Sequence, residues 1–307
     1  MSVFDDGDYP TVLLKIEPKR ACADERKLRN SEPPTPLLIA TPSKEGEFPV
    51  LLLIHGYLLY IDFYSQLIQH IASHGFIVIA PQLYTIAGPD TTGEIHNTAA
   101  IIKWLPTGLK DVLPSSVLPK IDKLAISGHS RGGKVAFALA LNKLTTSSLK
   151  ISALIGIDPV DGMDKGKQTP PAVLSYVPKS FNLEGMPTLV IGSGYGEMKK
   201  NAFFPACAPK GVNHENFYDE CQNPAWYFLV EDQGHLDMLD DETKGVRGKS
   251  TYCLAKNGKS REPMRRFVGG VIVAFLNAYL QGYDSQLLLI KDGNDATPVS
   301  FSKVDHR

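Results

Sequence analysis

Short apolar runs alternate along the middle of the chain with stretches whose apolar residues recur at helical spacing. Phe48 to Ile54 is apolar throughout, as a strand buried on both faces must be. Phe76 to Pro81, the run through Leu124-Ala125-Ile126, and residues 151–157, 188–193 and 226–231 repeat that signature. Between them, 61–75, 91–104 and 135–141 predict helices, and 261–281 predicts a longer one. The Leu- and Pro-rich stretch 105–120 predicts a loop or a broken helix. Residues 10–18 and 36–41 predict two strands at the sheet edge, joined by the charged segment 19–34. Strand and helix alternating in this way call for an α/β fold, a mostly parallel central sheet with helices on both faces.

Composition narrows the class. A chain of 307 residues with 43% hydrophobic content can bury a large core, and one domain over 1–307 is expected. About 1–9 and 284–307 are expected as loosely held tails, the latter polar apart from Leu287 to Ile290. A net charge of −1 offers no basic stripe for a phosphate backbone, so nucleic acid is not an expected partner. No run reaches the ~18 apolar residues of a membrane span. The acidic start Met1-Ser2-Val3-Phe4-Asp5-Asp6 lacks both an apolar signal core and an Arg/Ser-rich transit character, which places the expected location in the cytoplasm. Cys22, Cys207, Cys221 and Cys253 have no zinc spacing. Free thiols are expected, with a Cys207–Cys221 pair as the alternative.

The chemistry centres on Gly128-His129-Ser130-Arg131-Gly132-Gly133. An apolar strand precedes this Gly-x-Ser-x-Gly and a small-residue helix follows it, the context of a nucleophile elbow in an α/β-hydrolase fold. A serine hydroxyl needs a base, and the base needs an anion to set its tautomer. His235, in Gly234-His235-Leu236-Asp237-Met238-Leu239 directly after a strand, is the candidate base. His70, His74, His96, His214 and His306 have no strand-end placement and are expected as ordinary surface histidines. For the acid, Asp158 ends the run Ile151 to Ile157, on the sheet edge that carries Ser130. Glu197, after the next strand, is the alternative, and Asp161 is expected to bind a backbone amide. The developing oxyanion would be met by the backbone amides of Arg131 and Tyr57, the latter preferred to Gly56. The Arg131 side chain is expected either to touch a polar substrate group or to face solvent. Leu58, Leu59 and Phe63, large apolar groups beside that loop, are candidate substrate contacts, although part of this set is expected in the core. His129 is a further candidate there, with a packing or hydrogen-bonding role beneath the serine expected.

The elbow, together with Gly156-Ile157-Asp158-Pro159-Val160-Asp161-Gly162, Gly234-His235-Leu236-Asp237-Met238-Leu239-Asp240-Asp241 and Phe267-Val268-Gly269-Gly270, resembles the plant chlorophyllases over about Phe48 to Tyr279. That resemblance implies hydrolysis of the phytyl ester of chlorophyll to chlorophyllide and phytol, through a triad of Ser130, Asp158 and His235. No cofactor and no metal site are expected, because the histidines and cysteines do not cluster and the magnesium of a chlorophyll would belong to the substrate. It also opens a chloroplast location and peripheral contact with a membrane; oligomeric state stays open. The rival readings are a general carboxylesterase or lipase and a non-hydrolytic ligand receptor on the same fold.

Overall fold

In the computed structural model, residues 2–18, 32–293 and 296–307 are described. Strands β1 (Thr11–Ile16), β2 (Leu37–Pro42), β3 (Gly46–Ile54), β4 (Ile77–Pro81), β5 (Val117–His129), β6 (Ile151–Ile157), β7 (Thr188–Ser193), β8 (Ala225–Val230) and β9 (Phe301–His306) form one sheet. Its order is β1-β2-β4-β3-β5-β6-β7-β8-β9. The pairs from β4 across to β8 are parallel, whereas β1–β2, β2–β4 and β8–β9 are antiparallel. The parallel strands therefore end along one edge. The segments that leave that edge carry Gly56, Ser130, Asp158 and His235.

Period-two alternation sorts each strand between two cores. Leu51 and Leu53 of β3 join the apolar cluster under helices α1 (Ser65–Ser73) and α6 (Glu262–Leu276). Val50, Leu52 and Ile54 join the opposite cluster, under α2 (Thr92–Val112), α3 (Arg131–Ala140) and α4 (His214–Glu220). Both faces are covered, which is why the strands read as unbroken apolar runs.

Several boundaries differ from expectation for identifiable reasons. Helix α2 does not stop before 105 but continues through Pro106 to Val112. The proline costs about 3 kcal/mol in a helix interior; Leu105 and Leu109, fully buried beside Ile101 and Ile102, offset it at about 1.5–3 kcal/mol each. Strand β5 begins at Val117, pairing with Gly46 to Pro49 before a register shift at Pro49/Val50. The predicted helix at 61–75 is a 3-10 turn, Ile61–Tyr64, followed by α1. Helix α6 ends in a π turn, Asn277–Gln281.

The described residues near both ends pack against the rest of the chain. Val3 and Phe4 are buried, with Phe4 stacked on Phe267 at 6.0 Å between ring centroids. Helix α7 (Ser285–Lys291) buries Leu287 and Ile290, and β9 closes the sheet against β8. Its polar composition is that of an edge strand, anchored by Phe301 on Phe228 and Phe267. Cys207, Cys221 and Cys253 are free thiols, so the alternative Cys207–Cys221 pair is absent. Cys22 and most of the charged segment 19–34 lie outside the described residues.

Candidate active site

Ser130 sits between β5 and α3 at φ 57° and ψ −122°, a region that non-glycine residues seldom occupy and that a surrounding structure must enforce. Its amide donates to the Ile157 carbonyl (2.9 Å), and its carbonyl accepts from Val160 (3.2 Å) and Lys134 (3.2 Å). The flanking glycines are required by close approach: a Cβ on Gly128 would fall on the Gly132 carbonyl, and one on Gly132 on the Ile54 carbonyl. The elbow is thus clamped against β3 on one side and β6 on the other.

His235 leaves β8 and points its Nδ1 at Asp158 Oδ2, 2.8 Å away. A carboxylate only accepts, so Nδ1 carries a proton, and in the neutral imidazole that leaves the lone pair on Nε2. Asp158 is fully buried. Burial by itself would raise its pKa; the neighbouring His235 and His214 and the Ser193 hydroxyl, which donates to Oδ2, together hold it below the usual carboxylate value. The Glu197 carboxylate instead accepts from Asn213 Nδ2 at 2.7 Å. Asp161 binds the amides of Val173 (3.0 Å) and Leu174 (2.9 Å) and pairs with the fully buried Lys134. Among the described residues the Ser130 hydroxyl has no hydrogen-bond partner, and the His235 ring packs 4.7 Å from that of His129, the residue before it.

The loop after β3 lies against the nucleophile, since a Cβ on Gly56 would come within 3.3 Å of Ser130 Cβ. The Gly56 carbonyl is held by His55 Nδ1 (2.9 Å), the Tyr84 hydroxyl (3.2 Å) and the Leu59 amide (3.2 Å). Across that planar trans peptide the Tyr57 N–H points the opposite way. The Gly56 amide is already taken by the Tyr64 hydroxyl at 3.0 Å. The amides of Tyr57 and Arg131 have no acceptor among the described residues.

Other candidates fall elsewhere. The Arg131 side chain does not face solvent. It is buried, with Nε donating to Glu94 (2.7 Å), Nη1 to the Pro89 carbonyl (3.1 Å) and Nη2 to that of Asp90 (2.7 Å). It also lies over the rings of Tyr57 and Tyr84, 5.6 Å from each centroid, tying the loop before α2 to the loop after β3. Leu59, Phe63 and His129 are buried: Phe63 lies in the turn Ile61–Tyr64 and His129 ends a central strand. Leu58, at φ 56°, is half-buried and Tyr57 is exposed. His214 and His70 are buried rather than surface histidines. His214 sits 3.8 Å from Asp158 Oδ1 and bonds the Tyr227 hydroxyl at 2.8 Å; its place at the start of a short helix carried no sequence signal. Asp237 was also missed, though it stands two residues after His235. Its carboxylate accepts from the Gly234 and Gly258 amides, both at 2.6 Å, and so shapes the turn that presents the histidine. No group of three or more His, Cys, Asp or Glu side chains is arranged to hold a metal ion among the described residues.

Buried neutral histidines make stability depend on pH. Burial holds His55 and His70 down to about 4 and His129 to about 3. The unfolded chain takes up those protons near 6.5 while the folded chain does not, so acid favours unfolding. Asp240, raised by burial to about 6, binds its proton first in the folded state and offsets one of the three. Stability should therefore fall by about 3 kcal/mol per pH unit between pH 6 and 4. Scanning fluorimetry at pH 7, 6 and 5 reads this as a Tm that drops by several degrees; an unchanged Tm at pH 5 contradicts it.

A sequence model of the chlorophyllase family matches residues 1–307. The chain is 59% identical to Chlorophyllase-2 of Arabidopsis thaliana over 99% of its own length and 97% of that protein. It is 41% identical to Chlorophyllase-1 of the same plant, over 99% and 91%. It is 38% identical to a protein of Citrus unshiu named "Chlorophyllase-1, chloroplastic", over 100% and 89%. With the elbow, the sheet and the histidine–aspartate pair in place, these matches show that the chain belongs to the chlorophyllase family.

Proposed function

We propose that this chain hydrolyses the phytyl ester of chlorophyll with Ser130 as nucleophile, His235 as base and Asp158 as the anion that orients it. The observation that carries the reading is the 2.8 Å bond from His235 Nδ1 to Asp158, at the sheet edge where Ser130 is strained outward. Nε2 of His235 removes the Ser130 proton as Oγ bonds to the ester carbon. The carbonyl oxygen gains the charge, and the free amides of Tyr57 and Arg131 are the donors positioned to receive it, the latter at the positive end of α3. Collapse breaks the bond to phytol, which leaves with the proton from His235. Water, deprotonated in turn by His235, then releases chlorophyllide and restores the serine.

Leu58 and Tyr57 beside the nucleophile supply apolar surface for a macrocycle or an isoprenoid chain. Phe203 (91% exposed), three residues after the exposed Lys200, and Val246 (87%), two residues after the exposed Lys244, lie in segments after β7 and β8 and support peripheral contact with a lipid surface. The test offers chlorophyll in phospholipid vesicles and, separately, a soluble p-nitrophenyl ester. The expected result is chlorophyllide formation at a higher kcat/KM than the soluble ester, with protein sedimenting alongside the vesicles. Rapid turnover of the p-nitrophenyl ester with no chlorophyllide would make the chain a general carboxylesterase. Protein left in the supernatant would remove the membrane contact.

A further inference from the structure

Beneath the proposed nucleophile runs a chain of hydrogen bonds whose direction is fixed at both ends. The Gly56 amide can only donate, and it donates to Tyr64 Oη at 3.0 Å. That leaves the tyrosine proton for His129 Nδ1, 2.7 Å away. The His235 carbonyl can only accept, so the proton it receives, over 2.8 Å, is on His129 Nε2. Four segments are thereby joined: the loop bearing the Tyr57 amide, the turn before α1 eight residues on, and, far away in sequence, the residue before Ser130 and the backbone of His235.

We infer that Tyr64 and His129 are positioning residues that hold the Tyr57 amide and the His235 imidazole in mutual register around Ser130. Both are fully buried, and neither touches the hydroxyl of Ser130. Burial keeps His129 neutral to about pH 3 and pushes the Tyr64 phenol well above its ordinary value, so the chain of bonds stays intact across the working range. An apolar pair of the same shape would strand the Gly56 amide and the His235 carbonyl, so the bonds satisfy the core, but the pair does not tie two arbitrary groups. The two groups tied at its ends are instead the ones whose neighbours must meet the same carbonyl carbon, where a displacement of about 1 Å costs about a hundredfold in rate.

The inference rests on the proposed role of Ser130, and the experiment separates the two. Active sites are counted with a fluorophosphonate probe, so that kcat is read per folded site. Tyr64→Phe and His129→Leu are expected to lower kcat per site by about tenfold to a hundredfold, with KM within about twofold of the parent. His129→Gln, which restores a donor for the His235 carbonyl, should recover at least about fivefold over His129→Leu. The double variant Tyr64→Phe/His129→Leu should be no worse than about threefold below the poorer single one, as for groups acting as a unit. A merely structural role would lower Tm and the number of titrated sites without changing kcat per site, and that result overturns the inference. Should Tyr64→Phe fail to fold, the two His129 variants decide it alone. If Ser130→Ala measured alongside retains activity, the reading of the site itself is wrong; if it is dead while the others match the parent per site, only the positioning role falls.

Discussion

Replacing Ser130 with alanine is expected to reduce kcat on any ester substrate by about five orders of magnitude, with the protein still folded. In the proposed mechanism its hydroxyl forms the acyl bond, and among the described residues no other serine, threonine or cysteine is presented on a strained turn beside His235. Its removal costs little stability, because among the described residues it makes no hydrogen bond and the backbone bonds to Ile157, Val160 and Lys134 do not involve it. Tm should stay within about 2 °C, about 1 kcal/mol for a chain of this size. A variant that keeps more than about one per cent of the parent kcat, with contaminating esterase excluded by probe labelling, removes Ser130 from the mechanism.

Asp158→Asn is expected to cost about four orders of magnitude in kcat, whereas Glu197→Gln should change it less than about threefold. An amide at 158 no longer obliges His235 to carry its proton on Nδ1, and it offers no charge to stabilise the imidazolium formed when Nε2 takes the serine proton. Asp158 is suited to that work: buried, extended from the strand beside the nucleophile, and held ionised by His235, His214 and Ser193 despite its burial. Glu197 is occupied with Asn213. Activity that survives Asp158→Asn and is lost in Glu197→Gln would move the anion to position 197. The two variants bury different partners, so Tm measured on each guards against reading an unfolded protein as an inactive one.

How much could be read in advance follows from the range of each interaction. The parallel strands were legible because burial on both faces leaves an unbroken apolar run, and the elbow because Gly128 and Gly132 stand two residues either side of Ser130, even though the Ile54 carbonyl that demands Gly132 lies far away along the chain. Asp158 and His235 were legible as strand-end residues, a local property. Helix α2 was cut short at 104 because a proline signal is local, whereas the burial of Leu105 and Leu109 that outweighs it comes from the opposing sheet. Strand β9 looked like a tail because an edge strand needs only one anchored face, and its anchors, Phe228 and Phe267, lie over thirty residues earlier. The burial of the Arg131 side chain was not legible for a similar reason: Glu94, its partner, belongs to a helix that sequence spacing does not place beside the elbow.

By itself, then, the sequence determined the α/β alternation, the strained serine and the strand ends from which an acid and a base could come, because each of these is written in residues that are neighbours along the chain. Only the tertiary structure decided that His235 bonds Asp158, that the Gly56 amide is spent on Tyr64 while the Tyr57 amide stays free, and that Leu59, Phe63 and His129 belong to the core. Those outcomes depend on directed hydrogen bonds and close packing between segments as far apart as residues 56 and 235, and such contacts leave no periodic trace in a single chain.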